Sequence, residues 1–176
     1  MIDFSRNHFE LFGLTPAFGI DAGRLEQAFR DLQAQVHPDR FAHATDAEKR
    51  LSMQWATHVN EAYRTLKDPV SRARYLLRLN GVETAEETNT AMPTDFLMAQ
   101  MEWREAIGEA REAGEIGELD HLATKLRKEM HVLEDELARQ IDVTHDYPAA
   151  AATVRKLRFF EKLKDEIHTA LEALES

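Results

Sequence analysis

The residues best placed to do chemistry in this chain are His37 and Asp39, separated by one proline in the run Val36-His37-Pro38-Asp39-Arg40. An imidazole can donate or accept a hydrogen bond, and a carboxylate can take two N–H donors of an arginine side by side. Pro38 has no N–H and clashes with the preceding turn, so a helix must break there and leave both side chains on a short loop. Small-molecule catalysis does not assemble around them. The sequence has no glycine-rich phosphate loop, no Gly-x-Ser-x-Gly elbow and no cysteine. Carboxylate neighbours such as Asp135-Glu136 fall in charged helical surface. We therefore expect neither an enzyme nor a cofactor. A metal site could be drawn through His37, Asp39 and His43, but an exposed loop stiffened by one proline would hold converging ligands poorly. His58, His121, His131, His145 and His168 are scattered singly along helical stretches, so no metal is expected either. Two readings of the loop stay open: a recognition element offered to another protein, or a proline-terminated turn whose charges are simply solvated.

Composition narrows the setting. The chain has 176 residues, 43% hydrophobic and 31% charged, enough for one large or two small packed domains. Its net charge of −10 is uneven. Residues 1–80 carry 11 Lys/Arg against 10 Asp/Glu, whereas residues 81–176 carry 11 against 22. An acidic second half and a near-neutral first half argue against a nucleic-acid binder, which needs a basic patch. No apolar run reaches bilayer-spanning length, and the start, Met1-Ile2-Asp3-Phe4-Ser5, does not read as a signal peptide. With no cysteine to form disulfides or thiolate metal sites, the expected location is the cytoplasm, with no membrane partner.

The elements that must position the loop are helices. A short helix is expected over 7–14. A second opens on Asp21 as N-cap and carries Leu25, Ala28, Phe29, Leu32 and Val36 on one stripe until Pro38 ends it. Thr45-Asp46-Ala47-Glu48 has the capping-box pattern and opens a third, with Leu51, Trp55, Val59, Ala62 and Leu66 along one face. Asp68-Pro69 stops it, and a fourth helix with Ala73, Leu76 and Leu77 ends at Asn80-Gly81. Residues 82–93 have few large apolar side chains and read as a linker. Three long helical patterns follow, over 94–113, 117–143 and 147–175, whose short connections imply antiparallel neighbours. No stretch shows convincing two-residue alternation. The expected fold is all-α: a helical hairpin domain over 1–80, a linker over 81–93 and a three-helix bundle over 94–176, L-shaped overall because the linker is short.

Context then favours one reading of the loop. The His-Pro-Asp loop between two amphipathic helices is followed by Asn60-Glu61-Ala62-Tyr63-Arg64-Thr65-Leu66-Lys67-Asp68-Pro69, then Arg72 and Tyr75. This arrangement resembles the J-domain. Beyond it, Phe96-Leu97-Met98-x-Gln100-x-x-x-Arg104-Glu105 and Ala152-x-Val154-Arg155-Lys156-Leu157-Arg158-Phe159 are similar to the HscB family of J-type co-chaperones in iron–sulfur cluster assembly. The likeness covers nearly the whole chain. Two departures from other J-domains are Val36, where tyrosine is common, and a second helix whose only basic residues are Arg24 and Arg30.

The resemblance implies that His37, Pro38 and Asp39 trigger ATP hydrolysis by an HscA-type seventy-kilodalton heat-shock chaperone, with Arg24, Arg30 and Arg40 as a modest positive docking surface. It also implies that Leu97, Met98, Met101, Glu102, Glu105, Glu109 and Phe159 contact an IscU-type scaffold. Periodicity alone leaves this second face open. Leu97, Met98 and Met101 lie partly off the stripe drawn through Phe96, Ala99, Trp103, Ala106 and Ala110, and Phe159 lies off that of its own helix. They form either a client patch beside an acidic line or a widened core face with a solvated edge. A J-protein for another client, or a helical interaction protein with a structural His-Pro-Asp turn, are the remaining readings.

Overall fold

The computed structural model describes Asp3 and residues 5–86 and 91–175. Among these residues there are helices and no strands: α1 (His8–Leu11), α2 (Ala22–Val36), a 3-10 turn (Pro38–Phe41), α3 (Asp46–Lys67), α4 (Pro69–Leu79), α5 (Thr94–Ala113), α6 (Ile116–Ala138), a π turn (Arg139–Val143) and α7 (Tyr147–Glu175). None of these helices is long and apolar enough to cross a membrane. The chain divides into two compact units, Met1–Asn80 and Gly81–Ser176. Part of the expected linker, residues 87–90, lies outside the described residues.

In the first unit the helix boundaries follow local chemistry. Asn7 and Glu10 form a capping box that starts α1, and Thr45 and Glu48 form the one expected at α3. Helix α1 stops at Leu11, short of the expected Leu14: Gly13 turns at φ +65° and the Leu14 N–H returns to the Phe9 carbonyl at 2.8 Å. Asp68 ends α3 and also caps α4, accepting the Ser71 N–H at 2.8 Å, with Pro69 at the first helical position, where no N–H is needed. The J-like signature works as scaffolding. Buried Ala62 and Leu66 line the α3 face, and Tyr63 stacks on Phe29 of α2 with ring centroids 3.9 Å apart. Arg72 donates to the Phe18 and Leu66 carbonyls, each at 2.7 Å, tying the loop before α2 to the α3–α4 corner.

Tyr75 holds α1. Its hydroxyl accepts the His8 N–H at 2.9 Å, and its ring stacks on the His8 ring at 4.3 Å. His8 also meets the His58 ring edge at 5.6 Å. Burial, with the His58 charge as a second cause and Glu61 opposing both, lowers the His8 pKa below the ordinary histidine value. Folding therefore favours neutral His8. Its contribution to stability is intact above about pH 6.5 and is lost as pH falls through and below that value. Thermal melts should show acid destabilisation from pH 7 to 5, and His8→Phe should flatten that slope; an unchanged slope would contradict the assignment.

In the second unit, α5, α6 and α7 share one core: Trp103, Ile107 and Ala110; Leu119, Leu122 and Leu126; Phe159, Phe160, Leu163, Ile167 and Ala170. Gly114 at φ +69° closes α5 and turns the chain into α6. The pattern expected to run unbroken to residue 143 changes at Arg139. There the Thr144 N–H bonds the Arg139 carbonyl at 2.9 Å, a five-residue step. Buried Gln140 is the anchor, bonded to Thr153 at 2.9 Å and to Glu136 at 2.9 Å.

Candidate functional site

The loop at the end of α2 is built from three constraints. Val36 is buried and fixes the last turn of α2, Pro38 opens the 3-10 turn, and Phe41 packs edge-on against Trp55 of α3 at 6.2 Å. Behind this turn, Leu11, Leu32, Val36, Phe41 and Trp55, together with Asp3, Arg6, Gln35 and Arg40, line a groove of about 590 Å³. The polar side faces solvent: the His37 and Asp39 side chains are 54% and 92% exposed. His37 Nδ1 accepts the Asp39 N–H at 3.2 Å and lies 3.5 Å from the Asp39 carboxylate. One nitrogen cannot serve both contacts at once. The neutral ring, with its proton on Nε2, accepts the amide; the protonated ring donates to the carboxylate. In the neutral form the amide is satisfied within the loop, and the carboxylate stays available as a charge-assisted acceptor.

The expected positive surface is weaker than its residue count suggests. Arg24, Arg30 and Arg40 are all exposed, but Arg30 is paired with Glu26 one turn away on α2. Asp31, bonded to Gln27 at 2.9 Å, puts a second negative charge on that helix. Sequence reasoning passed over Lys49 and Arg50, exposed at the start of α3 where the chain leaves the loop. Their place just past the capping box is the signal that could have found them.

On α5, Leu97, Met98 and Met101 are 43%, 59% and 72% exposed. Glu102, Glu105 and Glu109 are exposed too, at helical steps that continue one line from Met98. The buried stripe runs through Trp103, Ile107 and Ala110, with Phe96 and Ala106 partly buried, so the three apolar side chains are outside the core and not a widening of it. Phe159 corrects the expectation. It is only 8% exposed, edge-on to Phe96 at 5.8 Å, with the Arg104 guanidinium 5.5 Å from its ring centroid. Because α7 packs against both α5 and α6, its buried arc is wide enough to take Phe159 as well as Phe160. Phe159 therefore supports α5 from beneath, and is not itself part of the exposed patch of Leu97, Met98 and Met101. Phe159→Ala should cost about 3–5 kcal/mol of stability in a denaturant melt; a cost below about 1 kcal/mol would contradict this burial. Among the described residues, no group of three or more His, Asp or Glu could hold a metal ion.

Comparison with known proteins agrees with both halves. Residues 7–75 match the family described as DnaJ domain, and residues 92–168 match the one described as HSCB C-terminal oligomerisation domain. The chain is 57% identical over 175 residues to a co-chaperone protein HscB homolog of Azoarcus sp. (strain BH72), covering 99% of each. The chain belongs to the HscB co-chaperone family. A second HscB homolog, from Paraburkholderia xenovorans, is 49% identical over the full length of both chains. The solved HscB of Vibrio cholerae superposes with a TM-score of 0.84 at 38% identity, covering 96% of this chain and 99% of that one. Human HscB superposes with a TM-score of 0.89 at 30% identity, covering 95% and 83%. As an HscB-family J-protein, the chain is a co-chaperone of a seventy-kilodalton heat-shock chaperone in iron–sulfur cluster assembly.

Proposed function

We propose that this HscB-family protein is an adaptor that delivers an IscU-type scaffold to an HscA-type chaperone in the cytoplasm and stimulates that chaperone's ATP hydrolysis, promoting cluster transfer. Residues 1–80 act on the chaperone, residues 94–176 hold the scaffold, and residues 81–93 join the two. His37, Pro38 and Asp39 are the trigger, with Arg24, Arg30, Arg40, Lys49 and Arg50 as the positive surround. Leu97, Met98 and Met101 are the scaffold contact, flanked by Glu102, Glu105 and Glu109, with Phe159 beneath. The protein itself neither hydrolyses ATP nor carries a cluster.

The observation that carries this reading is the pairing, in one family member, of two exposed features of different chemistry: a nearly fully exposed Asp39 on a 3-10 turn, and an apolar methionine-rich patch beside an acidic line. The first suits an arginine on a partner. The second suits adaptable packing against an apolar knob set among basic residues. Nothing in either is a catalytic constellation, so the loop acts by biasing a conformational equilibrium in the chaperone. Size-exclusion chromatography of the protein with the scaffold and the ATP-bound chaperone should show one complex containing all three. Complexes with each partner that exclude the other would contradict the adaptor function.

A further inference from the structure

The chain has no cysteine, so all the sulfur that a mild oxidant can attack lies in its methionines. Of the five among the described residues, Met92 and Met130 are partly covered. Met53, Met98 and Met101 are exposed, at 63%, 59% and 72%. Met53 stands on α3 of the first unit. Met98 and Met101 stand three residues apart on the outer face of α5, in one patch with Leu97. Leucine at these two positions would give the patch similar apolar area without an oxidisable atom. The surround also selects the oxidant. Glu102, Glu105 and Glu109 line the same helix and disfavour the approach of anions, whereas neutral hydrogen peroxide meets no such barrier.

We propose that Met98 and Met101 form a reversible sulfoxidation site, at which hydrogen peroxide switches off scaffold binding. This rests on the scaffold contact proposed above. A sulfur lone pair attacks one peroxide oxygen, an S–O bond forms and the O–O bond breaks. The sulfur is oxidised by two electrons and the peroxide is reduced; the departing hydroxide takes the proton of the transferred oxygen and leaves as water. Each sulfoxide turns an apolar contact into a polar acceptor, and burying that acceptor against an apolar partner without a donor is unfavourable. The free protein changes little, because both side chains stand outside the bundle core. Thiol-dependent reductases, one for each sulfoxide epimer, reverse the step: two thiols become a disulfide and the oxygen leaves as water. The patch thus releases the scaffold under oxidising conditions and recovers without new synthesis.

In the test, full-length protein is treated with hydrogen peroxide, the oxidant is removed, and oxidation of each methionine is read by peptide mass spectrometry. Calorimetry then gives the affinity for the IscU-type scaffold, and circular dichroism checks the fold. Oxidation of Met98 and Met101 should weaken binding at least tenfold, and the paired reductases should restore it to within twofold of the untreated protein. Met53→Leu should show the same loss. Met98→Leu combined with Met101→Leu, whatever its starting affinity, should lose less than twofold on the same treatment. Should oxidation of Met130 at the core edge disturb the fold, Met130→Leu, which keeps side-chain volume, carries the same experiment. The proposal is overturned if Met98 and Met101 stay reduced at a dose that oxidises Met53, if their oxidation leaves affinity within twofold, or if the double variant loses as much as the parent. Alanine replacement of Leu97, Met98 and Met101 separates the two readings. Where it weakens binding and oxidation does not, only the switch fails; where neither does, the scaffold contact itself fails.

Discussion

Asp39→Asn is expected to reduce chaperone stimulation by at least tenfold, to near the chaperone's basal turnover, without disturbing the fold. The amide has the size of the carboxylate and keeps one acceptor oxygen. It loses the charge and the paired acceptor geometry that an arginine requires, and hydrogen bonds to charged groups contribute about 1.5–3 kcal/mol each. The fold should not register the change, because the side chain is 92% exposed and its described contact is to His37 within the same loop. Circular dichroism and denaturant midpoints should match the parent within about 0.5 kcal/mol. Stimulation equal to the parent would mean that the loop is a structural turn and that the chaperone is engaged elsewhere.

Simultaneous alanine replacement of Leu97, Met98 and Met101 is expected to weaken scaffold binding by more than about 2 kcal/mol, roughly thirtyfold in Kd. The three side chains are well exposed in the free protein, so truncating them leaves no core cavity and the melting curve should move little. Phe159 is excluded from this set. Its removal would lower stability and apparent affinity together, and the two effects could not be separated. Neutralising Glu102, Glu105 and Glu109 to glutamine should act differently, slowing association and flattening its salt dependence more than it speeds dissociation. Unchanged affinity in the triple-alanine variant would place the scaffold on another face.

Local signals made much of this readable before any coordinates. Pro38 announces the break, the Thr45–Glu48 box announces α3, and the stripes on α2, α3 and α5–α7 follow the 3.6-residue period. What periodicity could not convey were contacts between distant segments. Phe159 is buried because a helix wedged between two neighbours buries more than one stripe. The π turn at Arg139 depends on Gln140 finding Thr153. The docking of α1 depends on Tyr75 accepting the His8 N–H from 67 positions away, and the Thr84 carbonyl is held by Arg155 from 71 positions away. The net charge of α2 was countable, but the pairing of Arg30 with Glu26, which weakens the expected positive surface, is a matter of rotamers.

The adaptor account depends most on the two exposed sites being used together. Its most direct test is steady-state ATP hydrolysis by the chaperone in the presence of this protein alone, the scaffold alone, and both. The account predicts that both together raise turnover severalfold above the sum of their separate effects, and that Asp39→Asn removes this excess. A combined effect no greater than the sum would contradict it.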